Sequence, residues 1–334
     1  MSHTTLTIGI TTYERPDSLS RAVESIVTQC GHGDRVELII VDDASKSEKA
    51  VHRLRQLDQQ STELPIPLHV IRHDSGSGGP SAGRNDIISN ANGDYVLFLD
   101  DDNLVAPGSL RELAIYLATS TADWVSLRRS RHGRDIFKSP PAQQENITRK
   151  EALYTFIAAG CFRVSALHEH GVRFNPDVSY GEDTEFVLDF AVNASAFSAL
   201  SDRCYIIEED PFSGELPHIS HGPRGIDQIR KLTAHVGRLG TIVERSTLPV
   251  EEKILLGETV LMRTLVSYQL ARKIAGIKDD EEAKRFLGKW RHTILRTMPS
   301  EHAVLTAESR NMGAVVQAII ATDTSLLRMA TAAT

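Results

Sequence analysis

With 334 residues, 41% hydrophobic and 24% charged, the chain has the composition of a globular protein with room for one large domain or two ordinary ones. A formal net charge of −7 excludes a general nucleic-acid binder, whose surface would be basic. Cys30, Cys161 and Cys204 are too few for a disulfide framework and too scattered for a zinc knuckle, so a reducing, cytoplasmic setting is the default. No run nears the ~18 apolar residues of a membrane span. The start, Met1-Ser2-His3-Thr4-Thr5, lacks a charged n-region and an apolar signal core. A soluble chain is expected, free in the cytoplasm or peripheral at the inner face of the membrane.

Leu6 to Thr12 reads as a β-branched strand, and Tyr13-Glu14-Arg15-Pro16-Asp17 turns the chain into a helix beginning at Leu19, with Asp17 or Ser18 as its cap. Val36 to Val41 is a second strand, ending in Asp42 and Asp43. A helix over Lys49 to Leu57 and a strand over Leu68 to Arg72 continue the alternation. Strand, helix, strand with apolar strands implies right-handed crossovers and a parallel sheet. The loop Gly76 to Asn85 then leads into a helix from Arg84 to Asn90. It has neither the spacing of a dinucleotide fingerprint nor the Gly-Lys-Ser/Thr of a P-loop. Two uses stay open for it: close backbone approach to a ligand with Arg84 set for phosphate or base, or a surface loop before an ordinary helix.

Tyr95 to Leu99 is a strand buried on both faces that stops in three carboxylates, Asp100, Asp101 and Asp102. Packed like charges raise one another's pKa unless a cation neutralises them. On an extended segment Asp100 and Asp102 point the same way, as ligands of Mg²⁺ or Mn²⁺ would. The alternative is an acidic turn before a helix that starts after Ala106-Pro107-Gly108-Ser109. Ligands of parallel sheets bind beyond the carboxyl ends of the strands. The Tyr13 turn, Asp42-Asp43 and Asp100 to Asp102 all follow strands, so a parallel sheet would set them on one rim.

A helix over Leu110 to Leu117 and a strand over Asp123 to Leu127 precede a basic run from Arg128 to Arg134, either a grip for an anionic acceptor or a solvated loop. Phe156 to Phe162 reads as sheet floor or plain core. Glu182, Asp183 and Glu185 open a helix whose apolar face is Phe186, Val187, Phe190 and Ala191. Acids there either favour the helix dipole or point one carboxylate into a cleft as a general base. His218 and His221 could ligate metal, touch phosphate or lie free on the surface. From Ile226 helix formers take over, with Ile254, Leu255, Leu261, Leu265 and Ile274, then Phe286, Trp290, Ile294 and Leu295, at helical spacing. The division expected is a catalytic domain over 1–224 and a helical domain over 225–334.

Five stretches together resemble the inverting family 2 glycosyltransferases: Ile10 to Tyr13, Ile40 to Ser45, Gly79 to Asn85, Gly93 to Asp102, and Gly181-Glu182-Asp183. The likeness covers roughly residues 5–222, about two thirds of the chain. It implies the GT-A fold, a mostly parallel central sheet flanked by helices, with the helical C-terminal region outside it. It also implies a nucleotide-diphospho-sugar donor, UDP-linked by expectation, and a carbohydrate, natural-product or polymer acceptor. The Gln-x-x-Arg-Trp signature of processive synthases is missing, and the usual Asp-Gly-Ser is Asp43-Ala44-Ser45 here. Carried over by position, Thr11, Tyr13 and Asp43 border the base, Arg84 lies against the nucleotide, and Asp100 and Asp101 belong to the nucleotide-sugar site. Asp102 is the direct ligand of Mn²⁺ or Mg²⁺, His218 or His221 completes the metal site, and Asp183 is the base. The tail is expected to form homo-oligomers or complete the acceptor site. Competing readings are a nucleotidyltransferase, which should carry a glycine-rich loop directly after the first strand, and a non-catalytic nucleotide-sugar-binding subunit.

Overall fold

A computed structural model describes residues 4–131, 134–135, 144–153, 160–178, 181–200, 204–208, 226–259, 270–300, 303, 307 and 313–332. The chain divides into two compact units, Met1–His218 and Ile219–Thr334.

The first unit is built on strands β1 (Leu6–Thr12), β2 (Val36–Asp42), β3 (Leu68–Arg72) and β4 (Tyr95–Asp100), all parallel, in the order β3-β2-β1-β4. Helices α1 (Pro16–Val27), α2 (Glu48–Gln60) and α3 (Pro80–Asn90) make the crossovers. Leu6, Ile8 and Ile10 of β1 and Leu38 and Ile40 of β2 are fully buried, as strands covered on both faces must be. The sheet continues through Gly160–Arg163, antiparallel to β4, then Trp124–Leu127, Phe197–Leu200 and Gln144–Glu145. A smaller sheet joins Asn103–Val105, Ile206–Glu208, Arg129–Arg131 and Arg134–Asp135. No described helix is long and apolar enough to cross a membrane.

Register sets the rim. Thr12 pairs with Asp42, and Thr11 pairs with Asp100, so the ends of β1, β2 and β4 lie side by side. Three local expectations change. Helix α1 begins at Pro16 rather than Leu19, because proline at the first helical position costs no hydrogen bond; Asp17 sits in the first turn and no side chain caps the helix. Helix α3 begins at Pro80 for the same reason, which moves Arg84 into its second turn. Asp101 and Asp102 lie in a turn after β4, so the alternation of an extended strand does not govern them.

Ala44 has φ +65°, a left-handed conformation that costs an L residue roughly 1–2 kcal/mol and glycine almost nothing. Ala44→Gly should therefore stabilise the protein by about 0.5–1 kcal/mol once the greater unfolded-state freedom of glycine is subtracted. Chemical denaturation should show a higher midpoint at unchanged slope; a lower midpoint would refute the strain at this position.

In the second unit, helices Ile226–Arg245 and Asp280–Thr297 pack through Leu232, Val236, Leu239 and Val243 against Leu287, Trp290 and Ile294. Trp290 Nε1 donates to Thr233 Oγ1 at 3.0 Å, so the one polar group of this buried ring is satisfied. The helical spacing read from the sequence holds for Phe286, Trp290 and Ile294, whereas Leu295 is exposed and Ile254 and Leu255 are half-buried. Leu261 and Leu265 lie outside the described residues.

Candidate active site

Arg84 is the centre of the rim. The tight start of α3 brings it there: Gly83 packs so close to β1 that a side chain would meet Thr11 Cγ2 at 2.8 Å. Arg84 Nη2 donates to Asp100 Oδ1 at 2.8 Å, and Nη1 reaches Asp183 and, at 3.4 Å, Glu182. The guanidinium lies 5.1 Å from the ring centroid of Phe174, which stacks on Phe186 at 3.9 Å. Burial opposes its charge, but Asp183, Asp100 and Glu182 outweigh burial and raise its pKa. A guanidinium with two forks suits this task, since each can serve a different carboxylate.

Glu182 and Asp183 open helix α4 (Glu182–Asn193). Gly181 caps it with φ +80°, a conformation suited to glycine. The face read from the sequence is the buried one: Phe186, Val187, Phe190 and Ala191 are all at most 1% exposed. Asn85, next to Arg84, holds the preceding segment by both ends of its amide, donating to Phe174 O at 2.8 Å and accepting from Phe174 N at 2.9 Å. Burial raises the Asp183 pKa, Arg84 pulls it down, Asp100 pushes it up, and the net shift is upward. Burial and the neighbouring Asp183 push Glu182 up to about 7.

Asp101 and Asp102 belong to a second charged cluster. Arg15 Nη1 donates to Asp102 Oδ2 at 2.9 Å and to Asp101 Oδ1 at 3.2 Å, while Thr12 Oγ1 donates to Asp101 Oδ2 at 2.8 Å. Asp101 is buried behind the rim; burial pushes it up to about 7 although Arg15 and Thr12 pull the other way. Asp100 and Asp102 therefore face different arginines rather than one common point. Asp100 keeps 37% of its side-chain surface exposed and Asp102 keeps 12%.

At the end of β2 the two acids part. Asp42 is fully buried, bonded to Ser45 and to Arg72 Nε at 3.0 Å, and Asp43 accepts from Ser77 N of the glycine-rich loop at 2.8 Å. Tyr13 is 45% exposed beside them and Thr11 is half-buried. His218 and His221 lie outside the described residues.

Three contributors escaped the motif reading. Arg15 reads as part of a turn, and only its position directly after β1 marks it as a rim residue. His73 has no motif at all. Arg129, in the basic run that reads as a solvated loop or an acceptor grip, is 7% exposed, and its charge lowers the pKa of Asp183.

The family model described as "Glycosyl transferase family 2" matches residues 7–173, half of the chain. The poly(ribitol-phosphate) beta-N-acetylglucosaminyltransferase TarS of Staphylococcus aureus (strain Mu50) is 24% identical over 200 residues, 59% of this chain and 34% of that protein. The poly(ribitol-phosphate) beta-glucosyltransferase of Bacillus spizizenii is 26% identical over 225 residues, 65% of this chain and again 34% of its own. The chain spans about a third of the length of these relatives. The crystal structure of S. aureus TarS 1-349 in complex with UDP-GlcNAc superposes with a TM-score of 0.81 at 19% identity, covering 98% of this chain and 91% of that one. With its GT-A sheet, its acidic strand ends and the Gly-Glu-Asp helix start, the chain belongs to the family 2 glycosyltransferases.

Proposed function

We propose that the protein is an inverting glycosyltransferase that moves a sugar from a UDP-linked donor to a hydroxyl of a polymeric acceptor, with Asp183 as the base. One observation carries this reading: Arg84 gathers Asp100 from the strand end and Asp183 from the helix start into one cluster. A carboxylate of raised pKa thereby stands beside, but apart from, the acids at the end of β4. The uridine donor and polymer acceptor are supported by the relatives, two of which act on poly(ribitol-phosphate) and one of which was crystallised with UDP-GlcNAc.

The donor's base sits against Thr11, Tyr13 and Asp43, with the diphosphate over the ends of β1 and β4. Arg84 and Asp100 border the nucleotide-sugar, and Asp101 fixes Arg15 and the turn from behind. Asp183 accepts the proton of the acceptor hydroxyl as that oxygen attacks the anomeric carbon opposite the leaving diphosphate. A single displacement inverts the anomeric configuration. Incubation with UDP-, GDP- and dTDP-sugars and poly(ribitol-phosphate) should release UDP and give the inverted anomer by NMR. Absence of turnover across the panel would overturn the reading.

Asp102 offers a carboxylate with one oxygen on Arg15 and 12% of its side chain exposed. A single protein carboxylate at a strand end suits a cation that keeps water and substrate phosphate among its ligands, as Mg²⁺ and Mn²⁺ do. Asp102 would hold it, with His218 or His221 as a further ligand, and when bound it would stabilise charge on the leaving diphosphate. Asp102→Ala should abolish transfer with the fold retained, since Arg15 keeps Asp101 as its partner. Chelation by EDTA should do the same reversibly; full activity after chelation would refute the metal assignment.

A further inference from the structure

His73, just past β3, is held between two carboxylates. Its Nδ1 lies 2.9 Å from Asp43 Oδ1 and its Nε2 2.7 Å from Asp86 Oδ2 of α3. Ionised carboxylate oxygens only accept, so a bond at each ring nitrogen requires an N–H on both, which is the imidazolium form. The clip joins three segments: the end of β2, the exit of β3 and the middle of α3. Asp43 also accepts from Ser77 N with both oxygens, at 2.8 and 3.1 Å, so the glycine-rich loop hangs on the same carboxylate. Other charges nearby are Asp42, whose main-chain oxygen accepts from His73 N at 3.0 Å, its partner Arg72, and Asp74 next in the chain. Asp42 is neutralised by Arg72, which leaves Asp43 and Asp86 as the charges that face the ring. Burial opposes protonation of His73, but Asp86 and Asp43 outweigh it and raise its pKa; the same bridge lowers that of Asp43 against burial.

We propose that His73 is a positioning residue for donor recognition: as an imidazolium it keeps Asp43 aimed at the donor's base, so donor binding weakens when the ring is deprotonated. The inference rests on the reading above that Asp43 meets the base. Neutral imidazole donates from one nitrogen only, and its other lone pair then confronts a carboxylate. One acid must turn away, and either choice loosens Asp43 or the α3 end of the clip.

UDP-GlcNAc is the probe, because both its phosphates are esterified and neither titrates near neutrality. Calorimetry between about pH 6 and 8.5 should show the Kd rising about tenfold for the wild type, since the imidazolium is lost as pH increases. His73→Gln should bind about tenfold more weakly at low pH, with that step gone. Its defect should appear in the donor KM, with kcat at saturating donor within about twofold. Asp86→Asn, which removes one of the two stabilising charges, should move the step to lower pH. A wild-type Kd that is flat across the range, or a step of undiminished size in His73→Gln, would overturn the proposal, and an unmoved step in Asp86→Asn would do so even if His73→Gln fails to fold. Asp43→Asn separates the two readings. If it binds UDP-GlcNAc as the wild type does, the base contact is wrong and the inference falls with it. If it binds weakly while His73→Gln matches the wild type, only the role of His73 is lost.

Discussion

Asp183→Asn is expected to lower turnover by roughly 10²- to 10⁴-fold, the usual worth of a positioned general base, with donor affinity within a few-fold. The substitution keeps size and hydrogen bonding, and Arg84 retains Asp100 and Glu182 as partners. Glu182 is the control. It sits one residue away, about 100° around the helix, and shares Arg84 with Asp183. Glu182→Gln should cost much less in rate.

The pH profile adds a second reading of the same pair. A base must be deprotonated to act, Asp183 is shifted upward, and Glu182 is pushed up to about 7. Activity should therefore rise with pH and fall away on the acid side, with the limb lying above the ordinary carboxylate range. Glu182→Gln removes a negative neighbour, so its acid limb should move to lower pH. Stopped assays of product against pH for the three proteins would test this. Equal, mild losses in both variants would eliminate Asp183 as the base and leave both acids as favourable charges at a helix N-terminus.

Arg84→Met is expected to have the largest effect on stability. Arg84 is 5% exposed and answers three carboxylates; its loss leaves them crowded and uncompensated. Breaking a buried ion pair by removing one partner costs about 3–5 kcal/mol. For a catalytic unit of this size that is a drop in Tm of about 10 °C. Arg84→Lys should lose less stability but most of the activity, because an ammonium has no fork to span Asp100 and Asp183 and no plane to lie on Phe174. Loss of stability should be smaller near pH 5 than near pH 8, since without the arginine the three acids take up protons as pH falls and their repulsion disappears. Calorimetric melts at both pH values measure this. An Arg84→Met protein that melts within about 2 °C of the wild type at high pH would show that the cluster does not hold the rim together.

Much of this site is written in local pattern. Apolar runs fix β1, β2 and β4, and each stops at the polar residues that form the rim, because a strand buried on both faces ends where the chain returns to water. The spacing of Phe186, Val187, Phe190 and Ala191 orients α4 and thereby places Asp183 at its start. Local pattern is therefore enough for the family, the parallel sheet and the acids at its edge. Which cation answers which acid follows from how distant segments pack. Arg84 and Asp183 lie 99 positions apart, and Arg15 and Asp102 lie 87 apart. The turn at Asp101 and Asp102 overrides the strand alternation that would have aimed Asp100 and Asp102 together, and His73 acquires its two carboxylates only when β2, β3 and α3 are packed. Periodicity records which face of an element is buried; ion pairs depend on where separate elements finally meet, and no local spacing encodes that.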